Sequence, residues 1–275
     1  MDALPSLIAL IVAAVLAPPL LRALREGGLV RENFRGRVLP FPFGVLVVFA
    51  AVGALIALAL LDRLAGADTL PADLALVVPY ALGVAFLGLA DDALSGPQRG
   101  WRGHARAVLR GGFSTGAMKA IGALGLALYV LAGRGGSDGR YLLAVAVLVL
   151  ATNLFNLLDL RPGRAVKAFV LLGAGLTLGA WDARPLAALG LFAAPVLVAG
   201  AYDVRERAML GDTGSNLVGA LAGLWLVLVL PSTLGLAIAT GVLVIVTAYG
   251  EVRSISALID RTPPLRFLDS IGRVP

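Results

Sequence analysis

Met209-Leu210-Gly211-Asp212-Thr213-Gly214-Ser215-Asn216 stands between two long apolar runs and puts a carboxylate, two hydroxyls and two glycines at the edge of what reads as a membrane helix. A carboxylate at that depth is costly unless a cation or a proton compensates it. The glycines let backbone N–H groups approach an anion, and Ser215 is placed to N-cap the helix that follows. A carboxylate beside such N–H groups suits metal-bound phosphate. Standing alone in a soluble protein, the same stretch reads more readily as a capped helix start after a glycine turn. Three other acidic or amide clusters at equivalent depth tip the balance toward a site.

The chain is 59% hydrophobic and 15% charged, with a mean hydropathy of +0.91. Those values exclude a soluble domain of 275 residues and predict an integral membrane protein. The absence of cysteine removes disulfides, thiol nucleophiles and thiolate metal sites. A single histidine, His104, excludes a multi-histidine metal centre and a zinc-protease helix. Net charge +6 would raise nucleic acid as a partner for a soluble chain; here its placement reads as membrane orientation, and no nucleic acid is expected.

About 20 apolar residues make a spanning helix, and on that measure about nine runs qualify: 3–23, 40–61, 72–90, 113–133, 141–158, 165–181, 186–202, 215–231 and 235–250. The expected fold class is all-α, a polytopic bundle over 1–250 followed by an amphipathic tail over 251–275. The first run, followed by a basic loop without a small-residue cleavage pattern, reads as a retained helix and not a signal peptide. Repeated Gly and Ala favour close helix packing. Of the 23 cationic residues, nineteen fall in one set of connecting segments and four (Arg63, Arg134, Arg140, Arg184) in the other. The positive-inside rule puts the richer set in the cytoplasm, the N-terminus outside and the tail inside. Asp91, Asp92, Asp159, Asp203, Glu206, Asp212 and Glu251 then share the cytoplasmic side.

Four further features carry candidate chemistry. The adjacent acids Asp91-Asp92 end the third run; they suit a divalent cation or a base, against a plain polar helix end. Lys119, about a turn inside the fourth run, wants a phosphate or carboxylate partner. Asn153, Asn156 and Asp159, at steps of three, share a broad helix face suited to a polar ligand or hydrated metal, or else to interhelical hydrogen bonding. The segment 31–44, RENFRGRVLPFPFG, is either a solvated basic loop or a place for an anionic group. His104, in a Gly- and Arg-rich loop over 95–112, reads more readily as solvated than catalytic. Residues 254–275 mix apolar side chains with Arg and Asp around Pro263-Pro264, as in a tail lying on the inner membrane surface.

Taken in order, these clusters resemble one family, the polyprenyl-phosphate N-acetylhexosamine-1-phosphate transferases. Asp91-Asp92 is similar to the family's aspartate pair. Asn153-x-x-Asn156-x-x-Asp159 is similar to the front half of its NxxNxxDGxDG motif. Leu210-Gly211-Asp212-Thr213-Gly214-Ser215 is similar to MGDxGS, and Asn33 to Gly44 to the loop before the second helix. The resemblance implies a bacterial inner-membrane enzyme, usually homodimeric, whose cytoplasmic site holds Mg²⁺. A polyprenyl (undecaprenyl) phosphate there attacks the β-phosphate of a UDP-sugar, giving polyprenyl-diphospho-sugar and UMP, an early step of cell-envelope glycan synthesis. It implies Asp212, with Asp92, as metal ligands; Asp91 and Asp92 at the lipid phosphate as base or metal ligand; Lys119 at a phosphate or the nucleotide. Asn153, Asn156 and Asp159 line the nucleotide–diphosphate pocket, with Asn33, Arg35 and Arg164 as further substrate contacts.

The chain departs from the family pattern at Leu160 and Pro162, which stand where a glycine and a second aspartate fall, and in lacking histidine near the last helices. A second class therefore stays open: a non-catalytic relative, binding lipid phosphate or nucleotide as a membrane scaffold or regulator. A polytopic transporter is the third, with the acids grouped at one face against it.

Overall fold

A computed structural model describes residues 3–94 and 115–274; His104 and the arginines of the 95–112 loop lie outside the described residues. Among the described residues are eleven helices and one two-stranded hairpin. In chain order they are α1 (Leu4–Glu26), β1 (Val30–Glu32), β2 (Val38–Pro40), α2 (Val45–Ala65), α3 (Leu74–Leu94), α4 (Thr115–Leu131) and α5 (Asp138–Leu158). There follow α6 (Arg164–Ala180), α7 (Pro185–Val204), α8 (Gly211–Val229), α9 (Thr233–Val252), α10 (Ile255–Arg261) and α11 (Pro263–Ser270). Each apolar run of the sequence lies on one of α1 to α9. Seven of these (α1, α2, α3, α5, α7, α8 and α9) are long and apolar enough to cross a membrane. The other two, α4 and α6, have 17 residues each, about 26 Å at the helical rise.

The bundle is organised around α8. Every residue from Thr213 to Val227 is buried, because α3, α5, α6 and α7 pack against it on all sides. From Leu217 onward its side chains are apolar all round, as an enclosed helix requires, while its first turns carry the polar residues Asp212, Thr213, Ser215 and Asn216. Small residues bring the backbones together: a Cβ on Gly219 would meet the Ala151 carbonyl oxygen and the Thr152 Cα at 2.7 Å, and one on Gly223 the Leu148 Cα at 3.0 Å. Helix α1 packs on α7 and α2, while α9 packs on α5 far more than on α8, its neighbour in sequence.

Two local expectations are corrected. The helix predicted from residue 215 starts at Gly211, and Ser215 is not its N-cap: Leu210 holds that position and makes no side-chain capping bond. Gly211, at φ +73°, turns the chain into the helix four residues early. That early start is stable because a carboxylate from another helix takes the first N–H groups, as described below. The second correction concerns the run expected from residue 40. Its first residues belong to the hairpin and to an extended stretch, since Pro40 and Pro42 have no N–H to give a helix. The hairpin pairs Val30 with Pro40 and Glu32 with Val38. It is closed by Asn33, whose Oδ1 accepts the N–H groups of Arg35 and Arg37 at 2.9 and 3.0 Å.

Beyond the hairpin the strand runs on against the loop before α8. Met209 N–H donates to the Pro40 carbonyl, Phe43 N–H to that of Met209, and Gly44 N–H to that of Leu210, at 2.7–2.9 Å. The C-terminal ends of α3, α5 and α7, the N-terminal ends of α4, α6 and α8, the hairpin and the tail thus gather at one end of the bundle. The tail docks there through Asp269. Its carboxylate takes Arg164 Nε and an Arg164 terminal nitrogen at 3.0 Å each and Arg273 at 2.8–2.9 Å. Lys167 Nζ donates to the Asp269 carbonyl, and Arg273 Nε to that of Pro162 at 3.1 Å.

Candidate functional site

The site grows from the meeting of α3 and α8. Gly88 of α3 lies against the backbone of Asp212 and Thr213, so closely that a Cβ there would stand 2.8 Å from the Thr213 Cα. Gly44 lies equally close to Gly214 from the other side. These approaches carry the last turn of α3, and with it Asp92, onto the N-terminus of α8. Asp92 Oδ1 accepts the Asp212 N–H at 2.9 Å; Oδ2 accepts the Thr213 N–H at 2.8 Å and the Thr213 hydroxyl at 2.7 Å. Asp92 therefore caps α8 across the bundle, supplying the acceptor and the negative charge that a helix N-terminus favours. Arg31 holds this carboxylate's own residue in place, donating to the Asp92 carbonyl at 3.3 Å.

Asp91, one residue earlier, points elsewhere. Its Oδ2 lies 2.5 Å from Lys119 Nζ, and the Oδ2 of Asp212 lies 2.5 Å from the same nitrogen. One ammonium in the first turns of α4 thus bridges the end of α3 and the start of α8. The side chains of Asp91, Lys119 and Asp212 are mostly buried, with Asp212 the most open of the three at 31%. Without Lys119 two carboxylates would face each other in poorly solvated surroundings, so a cation between them is a structural necessity.

The face predicted on α5 arrives only in part. Asn156 Oδ1 accepts the Ser215 hydroxyl at 3.0 Å, joining α5 to the first turn of α8. Asn153 is exposed. Asp159 sits just past the last turn of α5. Its burial, then the negative charges of Asp203, Asp212 and Asp92, push its carboxyl well above the ordinary carboxylate range, with Arg164 opposing. A carboxyl so placed gains strongly from any further cation.

The remaining predicted residues are engaged elsewhere. Asn33 Nδ2 donates to Glu206 Oε2 at 3.1 Å, and Arg35 and Arg37 lie 3.4 and 3.5 Å from the same carboxylate. Glu206 is buried, and at φ +51° it holds a backbone conformation unusual for a side-chain-bearing residue. Asn33 and Arg35 thereby tie the hairpin to the loop that delivers Asp212. Arg164 is 5% exposed and bound to Asp269 and to the Ser256 hydroxyl, the latter at 2.9 Å. Thr213, Glu206, Asp203 and Asp269 are the structural partners that sequence reasoning left without roles. Asp203 accepts the Gly163 N–H at 2.6 Å, closing the turn after α5. Thr213 stood in the opening stretch and Asp203 and Glu206 among the cytoplasmic acids, but the partners of all four residues lie far along the chain, where local pattern carries no signal.

Comparison of the chain with protein-family models finds no match, and comparison with curated proteins finds none.

Proposed function

We propose that this protein transfers a sugar-1-phosphate from a UDP-sugar to a polyprenyl phosphate, releasing UMP, from a magnesium-dependent site on the cytoplasmic face of a bacterial cell membrane, early in cell-envelope glycan synthesis. The observation that carries this reading is the convergence of Asp91 and Asp212 on Lys119 at the N-terminus of the buried central helix. The resemblance of the four clusters to the polyprenyl-phosphate sugar-phosphate transferases supports it, and implies a homodimer as the working assembly.

The donor set fits magnesium. That ion takes one or two carboxylates and completes its shell with water and substrate phosphate. Among the described residues no three acids are grouped as a metal cage, but the Oδ2 atoms of Asp91 and Asp212 both reach one cationic point. Asp212 with Asp92 was the pair expected from sequence; the three bonds Asp92 already accepts shift the reading to Asp91 with Asp212. When bound, magnesium neutralises charge on the transferring phosphate.

The chain's own groups do the rest by placement. Lys119 offers a point charge to a phosphate oxygen. Asp92 fixes the pitch and position of the helix that carries Asp212. Asn156 and Asp159 face the nucleotide side. The acceptor, a phosphate monoester with a second pKa of about 6, attacks through its own oxygen. A P–O bond forms to the β-phosphorus, the bond from that phosphorus to the bridging oxygen breaks, and UMP leaves with the electron pair. No proton has to be removed, so these carboxylates serve by charge and position, as phosphoryl transfer generally requires.

The test is UMP release by purified protein given Mg²⁺, undecaprenyl phosphate and a panel of UDP-sugars, with Asp212→Asn as control. Release abolished by the substitution supports the transferase. A second reading, a non-catalytic binder of lipid phosphate or nucleotide, is favoured by one observation: Lys119 already compensates both carboxylates. Binding of UDP or lipid phosphate with no release from any donor would establish that reading instead.

A further inference from the structure

Helix α11 docks by its charge and not by its apolar residues. Asp269 is its one buried residue, while Leu265 and Phe267 are 40% and 68% exposed and Ile271, just past its end, 49%. Helix α10 does the reverse and buries Ile255 and Ile259. The two helices meet at Thr262, which is the C-cap of α10 and the N-cap of α11, with Pro263-Pro264 next. Proline has no N–H with which to continue α10. Burial therefore fixes α10, ion pairs and hydrogen bonds fix α11, and a break separates them.

The groups that hold α11 belong to a receptor on α6, where Arg164 and Lys167 stand about one turn apart. Arg164 gives Nε and one terminal nitrogen to the two Asp269 oxygens, and its other terminal nitrogen to the Ser256 hydroxyl of α10. Lys167 Nζ donates to the Asp269 carbonyl and, at 3.3 Å, to that of Ile271. Among the described residues no other acid forms an ion pair with Arg164 or Lys167. Asp203, in electrostatic reach of Lys167, is held by the Gly163 N–H. A buried guanidinium is costly to leave without an anion, so whatever removes Asp269 has to replace it. A phosphate group offers the same two oxygens to the same fork.

We propose that Arg164, Lys167 and Ser256 form a phosphate site whose resident is the chain's own Asp269, and that a phosphate group entering it releases α11 and residues 271–274 as a strap. The strap swings at Thr262, where few backbone bonds resist it, and α10 stays in place with Ser256. Release withdraws two further ties: Arg273 Nε to the Pro162 carbonyl in the turn after α5, and an Arg35 terminal nitrogen to the Val274 carbonyl at the hairpin, each 3.1 Å. The turn and the hairpin then move free of the tail. The ligand is a phosphate group, free in solution or on a lipid headgroup. None of this depends on the transferase reading, since Asp91, Lys119 and Asp212 take no part.

The chain has no cysteine, so spin labels at Phe267→Cys and Val38→Cys, both exposed, report the distance from strap to hairpin without background. In detergent, inorganic phosphate should convert one narrow docked distance into a longer, broader one, and sodium chloride at equal ionic strength should leave it unchanged. Asp269→Asn should show the released distance with no phosphate added. Equilibrium dialysis with labelled phosphate reads the site itself. A tethered competitor acts at an effective concentration on the order of millimolar, so Asp269→Asn should bind phosphate at least roughly tenfold more tightly than the parent. Arg164→Gln should lose that binding, and Lys167→Gln, a milder change, should weaken it about tenfold. Nanodiscs of phosphatidylcholine with and without phosphatidic acid separate the sources: release by phosphatidic acid alone assigns the phosphate to a headgroup, and release by inorganic phosphate alone assigns it to solution. A docked distance that neither moves, or that chloride moves equally, overturns the exchange. Equal phosphate affinity in the parent and Asp269→Asn overturns Asp269 as the resident. UMP release enters none of these measurements, so its absence removes the transferase and leaves the strap.

Discussion

Asp91 and Asp92 are adjacent acids that the structure gives different work, and substituting each by asparagine separates the two. Asp92 accepts three hydrogen bonds, two from backbone N–H groups and one from the Thr213 hydroxyl. Asparagine keeps one acceptor oxygen and turns an NH₂ group toward donors. Bonds to a charged group are worth about 1.5–3 kcal/mol each, and the negative charge at a helix N-terminus about 0.3–1 kcal/mol more. Losing the charge and one to two of the three bonds predicts a destabilisation of about 3 kcal/mol for Asp92→Asn. At the usual scale for chains of this size that lowers Tm by about 6–12 °C. Asp91→Asn removes only one of the two carboxylates on Lys119, which keeps Asp212, and relieves the repulsion between the two acids; a smaller destabilisation than that of Asp92→Asn is expected, with loss of UMP release. Thermal unfolding in detergent, followed by tryptophan fluorescence, reads both. Trp225 is a suitable reporter, buried in α8 with its ring centroid 5.5 Å from that of Phe169. Equal Tm shifts for the two variants, or a larger one for Asp91→Asn, would refute the division of roles.

Three further outcomes are expected. Burial opposes ionisation of Asp269, but Arg164, then Arg273 and Lys167, hold its carboxyl below its ordinary 3.8. The docking it provides is therefore fully present above pH 3.8 and lost as pH falls through the lower folded value. Protease sensitivity of the 254–275 tail should accordingly be unchanged at pH 5 and rise only in stronger acid, while Asp269→Asn exposes the tail at pH 7. Asp159 carries the opposite sign, its folded pKa raised by burial and neighbouring acids, so native stability falls as pH climbs from the unfolded value through the folded one. Asp159→Asn should thus raise Tm at neutral pH in the absence of divalent cation and match the parent near pH 4. Gly88→Ala puts a methyl against the Asp212–Thr213 backbone; overpacking of about 1–3 kcal/mol should lower Tm and weaken nucleotide binding together, whereas Gly125→Ala, which meets nothing within 4 Å, should do neither.

The membrane class and the places of the helices were legible because apolar length is a local property: each run is read without knowing its neighbours, and each lies on a helix. Helix ends were less legible, since capping depends on groups far along the chain. Nothing near Gly211 announces that Asp92, 120 residues away, will accept the first N–H groups of α8 and make Ser215 an interior residue. Candidate chemistry was legible to the same degree. Acids and amides among apolar residues stand out; Asp91 and Asp212 do meet on Lys119, and Asn156 joins Ser215 near the start of α8.

The sequence by itself determined that this chain is a helical membrane protein with its acids concentrated in one set of connections. Composition and run length set the free energy of burial in lipid, and those are sums over neighbours in the chain. Only the tertiary structure decided which acid caps a helix and which meets a cation. It also decided that Asn33 and Arg35 serve Glu206 and that Arg164 is given to Asp269. Those assignments follow from contacts between residues 28 to 173 positions apart, where glycine-lined helix crossings set the distances, and pairing at that range has no signature in local pattern.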